Sequence, residues 1–154
     1  MNTEERIKKQ RELIEKIGLY FDKEGFQPIA GRILGLLMVM DKEQFTFDEI
    51  VEELQISKSS ASNALKNLEI REDIEYITQP GDRKRYFQIR KQDKFNLIKT
   101  FEKKMRHTME MFDCILSLKA DKNSSNAVFL SEMKNTLEFV LTQLNKLIEE
   151  SESK

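Results

Sequence analysis

A twelve-residue stretch, 57–68, has the sequence SKSSASNALKNL and predicts a short helix with two unlike faces. Four small or aliphatic residues recur at helical spacing and form a narrow apolar stripe: Ala61, Ala64, Leu65 and Leu68. The other face carries short hydrogen-bonding or positive side chains and no acid: Ser59, Ser60, Asn63, Lys66 and Asn67. Such a face suits the major groove of DNA, where base edges offer donors and acceptors between the phosphates. A solvated amphipathic helix is the alternative, and the flanking sequence decides between the two.

The preceding residues predict a helix-turn-helix arrangement. Thr46 or Asp48 can cap a short amphipathic helix, and the segment 55–57 forms a tight turn into the next helix. Ser57 is a good N-cap that would direct backbone N–H groups at a phosphate. In this arrangement we expect Ser59, Ser60 and Asn63 to face the major groove, with Lys58 and Lys66 nearer the phosphates.

The following residues predict a β-hairpin with a basic tip. The runs 74–78 and 85–90 are rich in aromatic and β-branched residues, and they flank a Pro-Gly turn. The tip and the return strand carry Arg83, Lys84 and Arg85 together. A basic hairpin directly after a recognition helix is typical of a DNA-binding wing, although Arg85 could instead pair with Asp82 or with a neighbour on the adjacent strand.

The composition of the chain indicates one mainly helical domain. Its 154 residues include only five Gly and two Pro, and they can build one compact core. No stretch of eighteen or so residues is apolar throughout, and the charged N-terminus lacks the apolar core of a signal peptide. The single cysteine excludes an internal disulfide framework and fits a reducing compartment. We therefore expect a cytoplasmic protein that is mainly α, with a small β-hairpin wing.

Charge is unevenly distributed along the chain. The overall net charge is −1, which argues mildly against a nucleic-acid ligand. Residues 57–91, however, hold eight positive and five negative residues, whereas residues 42–56 hold one positive and five negative residues. Positive charge is thus concentrated on the predicted recognition helix and wing.

The remaining segments are predicted to be helical. A helix over 4–23 and a largely apolar helix over 28–40 precede the short helix, and Gly31 and Gly35 share a face that lets a neighbouring helix approach. Residues 93–118 and 127–150 predict two long helices. In each of them, apolar residues are spaced alternately three and four positions apart and form a continuous seam. We expect a winged helix-turn-helix core over 28–92, with 4–23 and 93–150 forming a homodimerisation region. A monomeric helical hairpin is the alternative.

With these elements in order, the chain resembles the MarR family of bacterial transcription regulators over roughly residues 5–118. The resemblance rests on the Ser-Lys-Ser-x-x-Ser start of the recognition helix at 57–62 and on the wing sequence Gly81-Asp82-Arg83. A proline and a Gly-Arg-Ile run at 28–33 resemble the GbsR-type branch. Asn63 departs from the pattern, since many relatives have arginine there. The resemblance implies a sequence-specific, dimeric DNA-binding regulator, a repressor or an activator, that a small ligand could tune.

If ligand control extends to this chain, we expect the ligand where the DNA-binding core meets the dimerisation helices. Aromatic candidates there are Tyr20, Phe21, Phe26 and Phe112. Aromatic faces can hold a quaternary ammonium such as choline, which the GbsR-type resemblance implies. The chain has no tryptophan, and Phe21 and Phe112 lie on apolar stripes typical of ordinary core. We therefore expect no dedicated choline cage.

No pattern in the sequence indicates an enzyme, a metal site or a cofactor. The single histidine, His107, is expected to pair with Glu110 on a helix surface. Cys114 is expected to be a small core residue, with thiol sensing as the alternative that the family resemblance leaves open. The competing function is a winged-helix protein–protein interaction module that does not bind DNA.

Overall fold

The computed structural model describes residues 1–153, the side chain of Lys94 apart, and in that range it contains six helices and three strands. The helices are α1 Thr3–Lys23, α2 Pro28–Val39, α3 Phe47–Leu54, α4 Lys58–Ile70, α5 Lys94–Leu118 and α6 Ser125–Glu152. The strands are β1 Phe45–Thr46, β2 Ile74–Thr78 and β3 Arg85–Ile89. The mainly helical class with a small β-hairpin is therefore confirmed.

Contacts divide the chain into two compact units, with the boundary between Lys91 and Gln92. The first unit holds α1 to α4 and the sheet, and the second holds α5 and α6. Helix α1, which we grouped with the long helices on sequence grounds, packs on α2 in the first unit. Within residues 1–153, no helix has the length and apolar character that a membrane span requires.

Helix α2 is the centre of the first unit. Seven of its residues are buried, and the side chains of Ile33 and Leu36 are almost inaccessible to solvent. Helices α1, α3 and α4 and strand β3 all contact it. Burial of a large aliphatic side chain contributes about 1.5–3 kcal/mol, so α2 is the main source of hydrophobic stability in this unit.

Helix α1 approaches α2 closely through glycines on both helices. A Cβ atom at Gly31 would lie 2.9 Å from Phe21 Cβ and 3.1 Å from the carbonyl oxygen of Gly18. A Cβ atom at Gly35 would lie 3.3 Å from the carbonyl oxygen of Ile14. The expectation that Gly31 and Gly35 admit a neighbouring helix is confirmed, and that helix is α1.

The sheet is antiparallel with the strand order β1-β3-β2. Phe87 of β3 is buried and pairs with Phe45 on one side and Tyr76 on the other. The two-residue strand β1, which directly precedes α3, thereby ties the start of the helix-turn-helix to the wing.

In the second unit, α5 and α6 pack against each other as a helical hairpin, and an ion pair joins Lys134 to Asp113 at 2.5 Å. The apolar seams of both helices are only partly buried. Met105 and Leu141 are buried, whereas Met133, Val140 and Leu147 of α6 recur every seven residues and remain 38–60% exposed. On α5, Phe101 and Ile115 are exposed as well. The seams therefore carry more apolar surface than the hairpin itself covers.

Substituting alanine for Gly31 should destabilise the first unit more than the same change at Gly35. Both residues are helical, so alanine brings the same gain in helix propensity at each, about 1 kcal/mol. The contacts of an added Cβ are shorter at Gly31, 2.9 and 3.1 Å against 3.3 Å at Gly35, and overpacking of this kind costs about 1–3 kcal/mol. Urea unfolding of both variants measures the difference, and equal free energies of unfolding would contradict the tighter fit of α1 at Gly31.

Candidate nucleic-acid interface

The helix-turn-helix is built from two capped helices and one left-handed residue. A capping box starts α3, in which Thr46 accepts the backbone N–H of Glu49 and the Glu49 carboxylate accepts the backbone N–H of Thr46. Helix α3 ends at Leu54, and Gln55 adopts a left-handed conformation with φ 50°. Ser57 Oγ then accepts the backbone N–H of Ser60 at 3.2 Å and caps α4. The sharp turn is therefore determined by caps that the sequence predicted.

Helix α4 has the two faces expected from its sequence. Its apolar stripe is buried: Ala61, Ala64, Leu65 and Leu68. Lys58, Ser59, Asn63 and Lys66 are exposed, whereas Ser60 is half-buried. The Ser57 hydroxyl donates to Ser60 Oγ at 2.7 Å and lies 3.2 Å from Ser59 Oγ. Ser57 and Ser60 thus take part in capping, and Ser59, Asn63 and Lys66 form the accessible face.

A groove of about 560 Å³ separates α4 from the wing and the start of α3. Its apolar lining comes from Phe47, Leu65 and Phe87. Four cationic side chains also line it: Lys66, Arg83, Lys84 and Arg85. The fold therefore brings Lys66 of the recognition helix together with all three basic residues of the wing, which lie at least seventeen positions further along the chain.

The same groove contains two acidic residues, Asp48 of α3 and Glu69 of α4. These two carboxylates offset part of the positive charge of the four cationic side chains in the groove. Ser62 also lines the groove, and we did not include it among the sequence candidates. Its spacing of four residues from Lys66, one helical turn, was the signal that could have identified it.

The tip of the wing is held by a local hydrogen-bond network around Asp82. The Tyr86 hydroxyl donates to Asp82 Oδ2 at 2.6 Å, and the backbone N–H of Lys84 donates to Asp82 Oδ1 at 2.9 Å. Gly81 takes the positive φ of 80° that the turn requires. The hydrogen bond from Tyr86, together with the backbone N–H of Lys84, lowers the pKa of Asp82. The same hydrogen bond to Asp82 raises the pKa of Tyr86.

Of the two alternatives that the sequence left open for Arg85, the structure shows the contact with a strand neighbour and not the pair with Asp82. The Arg85 guanidinium lies over the ring of Tyr76 on the neighbouring strand, 4.6 Å from the ring centroid. Arg83 and Lys84 are exposed at the tip. The wing therefore presents Arg83 and Lys84 outward, while Arg85 is stacked against the sheet.

The candidate effector residues fall into two separate groups. In the first unit, Phe21 contacts Tyr20 and Phe26, with ring centroids 5.4 and 4.9 Å apart. The guanidinium of Arg71 lies 4.0 Å from the centroid of the Phe26 ring. A cation of the protein itself thus occupies one face of Phe26, where a quaternary ammonium would have to bind. In the second unit, Phe112 is half-buried on α5.

The remaining polar candidates lie on helix surfaces. His107 Nδ1 is 3.8 Å from Glu110 Oε2, and both side chains are about three-quarters exposed, which confirms the predicted surface pair. Cys114 is exposed, so the expectation that it is a core residue is wrong. It follows Phe112 by two positions and so lies away from the buried side of α5. Within the described part of the chain, no group of three or more His, Cys, Asp or Glu residues could hold a metal ion.

The change Tyr86→Phe should raise the pKa of Asp82 towards its ordinary value, because the hydroxyl is the largest cause of the lowering. A lowered pKa means that the contact stabilises the wing above the unfolded pKa of Asp82 and is lost as pH falls through the folded value. The raised pKa of Tyr86 means that the contact is also lost in strong alkali, as pH rises through that value.

Carboxyl chemical shifts of Asp82 followed by NMR across acidic pH measure this effect. Tyr76→Phe is the matched control, since it removes a hydroxyl from the adjacent strand that does not contact Asp82. An Asp82 titration that is the same in both variants and the wild type would show that Tyr86 does not hold the tip.

Comparison with known proteins finds a family match within the first unit. Residues 24–85 match the model of the MarR family. Over 79 residues the chain is 34% identical to the HTH-type transcriptional regulator MmpR5 of Mycobacterium tuberculosis (strain ATCC 25618 / H37Rv). That match covers 51% of this chain and 48% of MmpR5, so the chain spans about half the length of this relative.

A crystal structure of a transcriptional regulator has the same fold as the chain described here. The two superpose with a TM-score of 0.68 at 23% sequence identity, covering 95% of this chain and 99% of the other. The matched segment 24–85 contains α2, the helix-turn-helix and the turn of the wing as far as the first residue of β3. Over this segment, 62 of its 154 residues, the chain is similar to the MarR family.

Proposed function

We propose that this protein is a sequence-specific, double-stranded DNA-binding transcription regulator that acts in the cytoplasm as a dimeric repressor. The observation that carries the proposal is the convergence, in one groove, of the acid-poor accessible face of α4 and the cationic wing. In the proposed complex α4 lies in the major groove, where Ser59 and Asn63 contact base edges. Lys58, Lys66 and the backbone N–H groups at the start of α4 contact phosphates. The MarR-family match of this segment supports the proposal.

The wing supplies the second part of the DNA contact. Arg83 and Lys84 extend from a tip that Asp82 and Tyr86 hold, so they can contact the backbone or the minor groove beside the site read by α4. Arg85, stacked on Tyr76, contributes positive charge at the side of the groove. Salt-dependent affinity for all DNA sequences would come mainly from these cations.

Dimerisation through the second unit completes the proposal. The exposed heptad row of Met133, Val140 and Leu147 on α6 needs a cover, and a second copy of the chain offers the same row. A two-fold axis would also place two recognition helices about 34 Å apart, one turn of DNA. For ligand control we propose no choline cage in the first unit, because Arg71 already lies on Phe26.

The competing function is a protein–protein interaction module with a winged-helix fold. The overall charge of −1 favours it, and the four cations in one groove oppose it. Retention of the purified protein on random duplex DNA, lost steeply as salt is added, separates the two. A protein that passes through such a column at low salt would overturn the proposed function.

The changes Arg83→Ala and Asn63→Ala should affect DNA binding in different ways. Arg83→Ala should weaken binding to every sequence and lower the slope of log affinity against log salt by about one for each lost phosphate contact. Asn63→Ala should keep the salt slope and relax specificity at one or two base pairs, by about 1–3 kcal/mol if the contact is bidentate.

Binding titrations on a selected site and on random DNA, at several salt concentrations, measure both effects. Arg106→Ala in α5 controls for loss of one positive charge, since Arg106 pairs with Glu102 in the second unit. A salt slope that Arg83→Ala leaves unchanged would reject the role of the wing. Specificity that Asn63→Ala leaves unaltered would show that α4 is rotated about its axis, so that Asn63 does not face the bases.

The change Leu147→Glu should convert the dimer into a monomer. Leu147 is 60% exposed in the isolated chain, so a carboxylate there is compatible with the hairpin but not with an apolar interface. Asn135→Glu adds the same charge to an exposed position off the heptad row and should leave the dimer intact. Light scattering distinguishes one chain of 18.2 kDa from two. A wild-type mass of 18.2 kDa at working concentrations would reject the dimer.

A further inference from the structure

The turn between α3 and α4 uses a residue poorly suited to its conformation. Gln55 is left-handed, with φ 50° and ψ 48°, at a position where many helices end on glycine. Backbone bonds close the turn: Gln55 N–H donates to the carbonyl groups of Glu52 and Val51, and Ile56 N–H donates to the Val51 carbonyl. Because a Cβ atom disfavours this conformation, the turn depends on contacts from elsewhere in the fold.

Arg32 of α2 supplies such a contact. Its Nη2 donates to the carbonyl oxygen of Leu54, the last residue of α3, at 3.2 Å. The last turn of α3 contains no basic residue of its own. The Arg32 guanidinium therefore provides the positive charge and the donor that the carbonyl end of a helix attracts.

Helix α1 fixes the direction of the Arg32 side chain. Both Nε and Nη2 of Arg32 donate to Glu15 Oε1, at 2.9 and 2.6 Å. A Cβ atom at Gly18, one turn further along α1, would lie 2.6 Å from Arg32 Cγ. The glycine thus leaves the space through which the Arg32 side chain passes, and Glu15 aims its guanidinium at the end of α3.

We infer that Arg32 is a positioning residue for DNA recognition, which sets the direction of α4 through the turn at Gln55. The inference rests on the proposed function, because α4 is the helix proposed to contact the bases. Leu54 is buried and Ser57 begins the next helix three residues later, so displacement of the α3 end would move α4 directly. Arg32 acts on the turn and not on the ligand.

A second arginine allows this role to be separated from that of an ordinary ion pair. Arg11 of α1 also pairs with a residue of α3, Glu53, at 3.4 Å, and it makes no bond to a carbonyl group of the turn. Arg32→Met and Arg11→Met remove the same charge from the same side of the unit. Only Arg32→Met removes the donor at Leu54.

Amide hydrogen exchange tests the inference without DNA. In Arg32→Met the amides of Gln55 and Ile56 should exchange faster than in the wild type, by more than any change within α2, whereas Arg11→Met should leave them unchanged. If Arg32→Met does not fold, Glu15→Gln is measured in its place, since it keeps Arg32 and weakens the contact that orients its guanidinium. Unchanged exchange at Gln55 and Ile56 would overturn the inference.

DNA titration tests the consequence for recognition. Arg32→Met should lose about tenfold or more in affinity for a selected site, the size of one lost base contact, with the salt slope retained. Gln55→Gly in the Arg32→Met background should restore part of the loss, because glycine adopts the left-handed conformation without a Cβ penalty. An equal loss in Arg11→Met would assign the effect to charge and overturn the inference. Absence of DNA binding by the wild type would instead reject the proposed function and leave the exchange result standing.

Discussion

Helix α2 is apolar on most of its surface, and the first unit is arranged so that its buried residues, Ile33 and Leu36 above all, stay out of water. Helix α1 covers one side of α2 and approaches it closely at the glycines of both helices, while α3, α4 and β3 cover other sides. Since each of these elements packs on the same helix, their mutual positions follow from how they fit around α2. The recognition surface is a consequence of that packing.

Polar contacts then determine the details that packing leaves open. The Glu15–Arg32–Leu54 connection spans three helices and meets the turn where α3 ends. In the wing, the Asp82–Tyr86 hydrogen bond holds the tip, and Arg85 stacks on Tyr76. The turn that leads into α4 and the wing that lines the same groove are thus each stabilised by a specific polar contact, which suits a surface proposed to match the fixed geometry of a DNA groove.

The two units differ in how completely they bury their apolar residues. The first has a continuous core that includes residues from α1, α2, α3, α4 and the sheet. The second is a pair of helices whose seams alternate between covered and exposed members, such as Met105 and Phe101 on α5. A two-helix hairpin can bury only one stripe of each helix, and this geometric limit is the basis for proposing a second copy of the chain as the cover.

The sequence by itself determined the elements, because their signals are local: Ser57 as a cap, the Pro-Gly turn, the apolar period of α4 and the seams of α5 and α6. It also identified the candidate residues of the helix and wing. Only the tertiary structure brought Lys66 to the wing, Arg71 to Phe26 and Arg32 to Leu54, and it placed Cys114 at the surface. Arg32 contacts partners 17 and 22 positions away. Such contacts depend on how helices pack in space, and periodicity along one helix carries no information about them.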